Sequence, residues 1–195
     1  MSGNFSLSSP NENYISYMTD IQTLYQEAIR YASEKHGAQT IKGTNRSYVV
    51  HLSNVAMELF MAAPHTPGFD LPFALQVALL HDLIEDTPTT KADLEKQFGE
   101  EVADAVWALT HDTKLLKDYR LTDSLAKIRQ RRQEVWAVKL ADRITNLQPP
   151  PKKWTKDHIR EYQFDSQQIL QALNGGNEYL EKRLETKIDE YGKYL

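Results

Sequence analysis

Ile21, Leu24, Tyr25, Ala28, Ile29 and Ala32 recur at three- and four-residue spacing, which aligns them as one apolar stripe along a helix. Thr19 or Asp20 offers a capping oxygen at its start, and Gly37 ends it. Residues 1–18 are rich in Ser and Asn and lack that period, so a flexible leader is expected over 1–18 and a folded domain over 19–195. A second helix is predicted from about Val49 to Ala63, with Val55, Leu59 and Phe60 inward, before Pro64, Pro67 and Gly68 interrupt the chain. A third, from about Leu71 to Asp86, is apolar nearly all round, the pattern of a helix with neighbours on every side. Pro88 stops it.

Thr90 followed by Asp93 has capping-box spacing and opens a short helix that ends near Gly99. Val102, Ala105, Val106 and Leu109 mark another helix, to about Asp112. From Leu121 to Leu147 the period runs unbroken and predicts one long helix, with Leu125, Ile128, Val135, Val138, Ala141 and Ile144 inward. Pro149-Pro150-Pro151 cannot extend it, because each proline lacks a donor and clashes with the preceding turn. Helices over about Thr155–Leu173 and Glu178–Tyr194 follow, separated by Gly175-Gly176. In the last, Tyr179, Leu180, Leu184, Ile188 and Tyr191 form a stripe suited to packing or to a homodimer contact. No segment alternates with period two, so the fold class is all-α.

A chain of 195 residues, 41% of them hydrophobic, can bury the core of one domain. Its net charge of -4 argues against a general nucleic-acid binder, while leaving room for a local basic pocket around a small phosphorylated ligand. With no cysteine, disulfides and thiolate metal sites are excluded, and any metal is held by His, Asp and Glu. That donor set favours manganese over a structural zinc knot. No apolar run approaches membrane-spanning length, and the first twenty residues are polar with scattered apolar positions. A cytoplasmic protein without a membrane partner is expected.

The candidate chemistry lies where the most apolar helix ends, at His81-Asp82-Leu83-Ile84-Glu85-Asp86. Buried charge is costly unless paired or metal-bound, so a histidine and three carboxylates at that place point to a site. His81 and Asp82 diverge by about 100° on a helix, so an ion they share needs further ligands from neighbouring elements. His51 near the start of the second helix and Asp142 on the apolar side of the long helix are the candidates. Two imidazoles and two carboxylates suit Mn²⁺, Fe²⁺ or Zn²⁺ used as a Lewis acid. Glu85 and Asp86 follow His81 and Asp82 by four residues each, a placement for general acid–base work. His36, His65, His111 and His158 carry no such pattern and are read as structural, His36 with a supporting place near the site.

In order, the stretches HGAQ (36–39), YVVH (48–51), LLHDLIEDT (79–87), FGEEV with a following ALT (98–110) and VKLADRITNL (138–147) resemble the HD-domain metal phosphohydrolases. Within these they look like the hydrolase domain of the RelA/SpoT-homologue family in its stand-alone form, the small alarmone hydrolases. The resemblance covers about Tyr31 to Leu147. It implies a helical bundle around one Mn²⁺ held by His51, His81, Asp82 and Asp142. Glu85 and Asp86 would handle the attacking water and its protons. Asn146 would contact the nucleotide sugar, and Lys42, with Arg46, the base and phosphates. The implied reaction removes pyrophosphate from the 3′ position of guanosine tetra- or pentaphosphate, giving GDP or GTP. Another 3′-phosphorylated nucleotide, such as an adenosine alarmone or NADPH, and a non-catalytic nucleotide sensor are the alternatives. The chain departs from the family pattern around the substrate: IKGTNRSY replaces RKSGEPY, Leu52 stands for a proline, and the triproline with Trp154 is added.

Overall fold

The most apolar helix lies in the middle of the molecule, and the others are arranged about it. The computed structural model describes residues 12–195, with side chains from residue 21 onward. The helices are α1 (Glu12–His36), α2 (Val49–Ala62), α3 (Leu71–Leu80), α4 (Leu83–Asp86), α5 (Lys91–Phe98) and α6 (Glu100–Leu109). They continue with α7 (Lys117–Ile128), α8 (Gln133–Asn146), α9 (Lys156–Ala172) and α10 (Glu178–Tyr191). Short 3₁₀ turns follow α2 at Ala63–His65 and α10 at Gly192–Tyr194. Among the described residues there is no strand, only an isolated antiparallel bridge between Thr40 and Ser47. The leader expected over 1–18 falls mostly outside the described residues, and α1 is already helical from Glu12.

α3 packs against α1, α2, α6 and α8, which is why Phe73, Leu75, Val77, Leu79 and Leu80 can all be buried on one ten-residue helix. Asp70 caps it by accepting from the amide of Phe73 at 3.1 Å. The capping box read at Thr90 and Asp93 is present on α5, and Thr155 and Asn177 cap α9 and α10. Leu180, Leu184, Ile188 and Tyr191 are buried within the chain, so these four serve packing. Tyr179 stacks on His65 at 4.8 Å.

Four expectations need correction. Thr19 and Asp20 lie within α1 and so do not stand at its start. Phe60 does not face the core; it is 37% exposed and its ring meets Tyr25 at 6.1 Å. The helix expected over Leu71–Asp86 breaks at His81-Asp82, where Asp82 adopts φ -96, ψ 0. A continuing helix would give the Ala78 carbonyl to the Asp82 amide; instead His81 Nδ1 lies 2.7 Å from it. The long helix expected over Leu121–Leu147 is two, α7 and α8, turned at Arg129–Arg132. No glycine or proline marks that turn. It is set by Arg132, whose guanidinium reaches Asp70, Glu101 and Glu134 and lies 4.4 Å over the Phe73 ring.

Candidate metal centre and adjoining cavity

Because the chain turns at His81, consecutive side chains that would diverge on a helix point to one place. His81 Nε2 lies 3.0 Å from Asp82 Oδ2, 3.7 Å from Asp142 Oδ1 and 3.4 Å from His51 Nε2. His51 Nε2 is in turn 3.4 Å from Asp142 Oδ1 and 3.6 Å from Asp82 Oδ2. α2, the turn after α3, and α8 thus bring together the four residues expected as ligands. The donor atoms of His51, His81 and Asp142 all lie within 4.8 Å of one another, and all three residues are buried.

The donor chemistry fits a divalent cation. Edges of 3.0–3.7 Å are those of a coordination shell with bonds of about 2.0–2.2 Å. His81 Nδ1 donates to the Ala78 carbonyl, which leaves the Nε2 lone pair facing the cluster. Burial disfavours a charged His81, yet Asp82 and Asp142 raise its affinity for a proton well above the usual range. The same field attracts a metal cation. Burial likewise pushes the Asp82 carboxyl up, but His81 beside it prevails and holds it down at about 2. For Asp142, the Lys139 ammonium and the two imidazoles outweigh desolvation and hold the carboxyl well below its ordinary value.

Surrounding side chains hold these donors in place. Lys139 Nζ donates to Asp142 Oδ2 at 3.1 Å, and Asn146 Nδ2 donates to Asp142 Oδ1 at 2.6 Å. Tyr48 donates its hydroxyl to Asp82 Oδ2 at 2.5 Å. Burial and the Asp82 charge raise the Tyr48 pKa, so the hydroxyl keeps its proton. The His36 ring lies 4.6 Å from that of Tyr48, tilted by 32°, and its Nδ1 bonds Gln39 at 2.8 Å, the supporting place read for it.

Glu85 and Asp86 are engaged outside the cluster. Gln39 Nε2 donates to Asp86 Oδ2 at 2.9 Å. Glu85 is bound by His111, read from the sequence as structural. Tyr48, Lys139, Gln39 and His111 are the residues that sequence reasoning missed. A lysine three residues before Asp142 on the buried face was the one available signal, since the others act across turns and between elements.

A cavity of about 660 Å³ opens beside His51. The loop after α1 supplies Lys42 and Arg46 to its wall, the end of α8 supplies Asn146, and Trp154 and Tyr162 close the far side. Lys42 and Arg46 are solvent-exposed, and Arg143 lies 4.4 Å behind the Tyr162 ring. The triproline reaches back to the loop: a Cβ on Gly43, whose φ is +81, would sit 3.4 Å from Pro151 Cγ.

A helical bundle with a His, His-Asp, Asp cluster at its heart, opening onto a cationic cavity, defines the class of metal-centred HD folds. The model of the HD domain matches residues 28–175 of the chain. The guanosine-3′,5′-bis(diphosphate) 3′-pyrophosphohydrolase MESH1 of Xenopus tropicalis is 32% identical over 180 residues, spanning 90% of this chain and 98% of that protein. The protein of the same name from Homo sapiens is 32% identical over 171 residues, covering 85% and 93%. A solved structure described as a metazoan ortholog of SpoT that hydrolyzes ppGpp superposes with a TM-score of 0.76 at 28% identity, covering 95% and 98%. The chain belongs to the HD-domain family and, within it, groups with the MESH1 pyrophosphohydrolases.

Among the described residues, no helix is long and apolar enough to cross a membrane.

Proposed function

We propose that the chain hydrolyses the 3′-pyrophosphate of guanosine tetra- or pentaphosphate, with water as co-reactant, releasing pyrophosphate and leaving GDP or GTP. The observation that carries this is the cavity with Lys42 and Arg46 on its wall, opening onto an imidazole that faces a second imidazole and a carboxylate. Its support is the pyrophosphohydrolase activity for which relatives matching nearly the whole chain are named.

His51, His81, Asp82 and Asp142 would hold a divalent ion. The mixed nitrogen and oxygen set favours Mn²⁺, with Fe²⁺ and Zn²⁺ as competitors. When bound, such an ion would supply Lewis-acid charge and lower the pKa of water. Lys139 and Tyr48 keep the two carboxylates aimed. Lys42 and Arg46 neutralise phosphate oxygens at the cavity wall. Asn146 gives its amide to Asp142, which leaves the side-chain oxygen for a sugar hydroxyl. Glu85 takes a proton from the attacking water, and Asp86, held by Gln39, assists proton transfer at the leaving 3′ oxygen. The substrate is thus a small nucleotide, and the protein works in the cytoplasm.

The test is to strip the purified protein with chelator, restore Mn²⁺, and follow pyrophosphate and GDP from guanosine tetraphosphate, with adenine 3′-phosphorylated nucleotides as a parallel arm. Equimolar pyrophosphate and GDP are expected. No release with any divalent metal sinks the proposal, and release from the adenine arm alone reassigns the base. Glu85→Ala should retain the metal yet lose about 10²-fold or more in kcat.

A further inference from the structure

Glu85 sits on α4, a single short turn, and is exposed; an unrestrained glutamate there would sweep through many rotamers. It is instead held from another element. The His111 backbone N–H donates to Glu85 Oε2 at 3.0 Å, and the His111 ring Nδ1 lies 3.1 Å from Oε2 and 3.2 Å from Oε1. An ionised carboxylate only accepts, so Nδ1 carries the proton in this pair. The His111 backbone is itself anchored. Thr110, just ahead of it, bonds the Val106 carbonyl through both its amide at 3.2 Å and its hydroxyl at 2.9 Å.

We propose that His111 is the positioning residue for Glu85: two donors from the segment after α6 engage both carboxylate oxygens and hold the group in place as a proton acceptor. This rests on the proton-accepting role given to Glu85 above. Desolvation pushes the Glu85 carboxyl up, but the side-chain and backbone bonds from His111 outweigh it, and the net direction is downward. Asp82, in the turn ahead of α4, is the other charge acting on Glu85, and Lys127 of α7 reaches the adjoining Thr110. Asp82 pushes the Glu85 carboxyl up, while Lys127 donates to the neighbouring Thr110 carbonyl at 2.9 Å and pairs with Asp123. His111 therefore prevails over a like charge already close to Glu85.

The experiment compares wild type, His111→Ala and His111→Asn, whose side-chain amide can place a neutral N–H where Nδ1 stands. The first readout needs no substrate: ¹³C-carboxyl titration of Glu85 in the zinc-loaded, diamagnetic protein, with the resonance assigned by its loss in Glu85→Gln. The Glu85 midpoint should rise in His111→Ala and fall between the two in His111→Asn. On guanosine tetraphosphate, His111→Ala should lose about 10- to 100-fold in kcat with KM little changed. The acid limb of its rate profile should move to higher pH, and His111→Asn should recover most of the rate near neutrality. An unchanged Glu85 midpoint in His111→Ala overturns the proposal, as does a rate loss that His111→Asn does not recover. If wild type leaves guanosine tetraphosphate intact, the substrate assignment fails and the carboxyl titration alone decides the role of His111.

Discussion

α8 carries a charged cluster at each end, and the two are built on opposite terms. At its start, Arg132 gives one N–H to each of three carboxylates: Asp70 at 2.8 Å, Glu101 at 2.8 Å and Glu134 at 3.2 Å. Its side chain is 39% exposed, so water shares the work of solvating it. Toward the other end, Asp142 is 10% exposed and faces two imidazoles and, through them, Asp82. Lys139 is the cation that pairs with it there. The first cluster is satisfied as it stands and joins α3, α6 and α8. The second concentrates acceptors in a dry place, an arrangement that charge alone makes costly until a cation fills it. Completeness marks the structural cluster, and a deficit of positive charge marks the chemical one.

That contrast can be broken experimentally. Asp82→Ala should lower turnover by about 10³-fold and abolish bound metal, measured by plasma emission, while the far-ultraviolet circular dichroism is kept. A variant that turns over normally would mean the deficit has no chemical role. Saturating divalent metal should stabilise wild type by about 2.7 kcal/mol at a hundredfold excess over Kd, read as a rise in Tm. Asp142→Ala should lose that response; if it kept it, the ion would bind elsewhere. Arg132→Ala should do the converse, costing about 1–2 kcal/mol in urea unfolding with kcat and metal content unchanged.

The smallest effect concerns Asp104, next to the Arg132 cluster, where Lys91 and then Arg131 hold its carboxyl below the ordinary value. A lowered folded-state pKa contributes stability that is present above the unfolded value and fades as pH falls through the folded one. The stability of Asp104→Asn should therefore fall less steeply than wild type over that acid range, and identical slopes would remove Asp104 from the account.

Much of this was legible before any coordinates. His51, the His81-Asp82 pair and Asp142 stood out because polar groups on apolar helix faces need a reason, and three elements each supplied one. The all-α class followed from the recurring period, and the helix cap at Thr90 from its local spacing. What escaped was set between elements. The turn at Arg129–Arg132 answers to Asp70 and Glu101, far away in sequence, and local residues carry no trace of it. The break at His81 comes from a ring competing for a backbone carbonyl, which no periodicity encodes. His111 meets Glu85 across 26 residues, so neither residue announces the other.

Gly43 and Pro151 approach each other where the loop after α1 meets the triproline, with a left-handed backbone on one partner and a rigid ring on the other. The contact between them pairs a hydrogen atom with a pyrrolidine, and neither can yield by changing rotamer. The shape of the loop at this point is consequently a property of the backbone, and reshaping it would mean rebuilding the segment that carries Gly43.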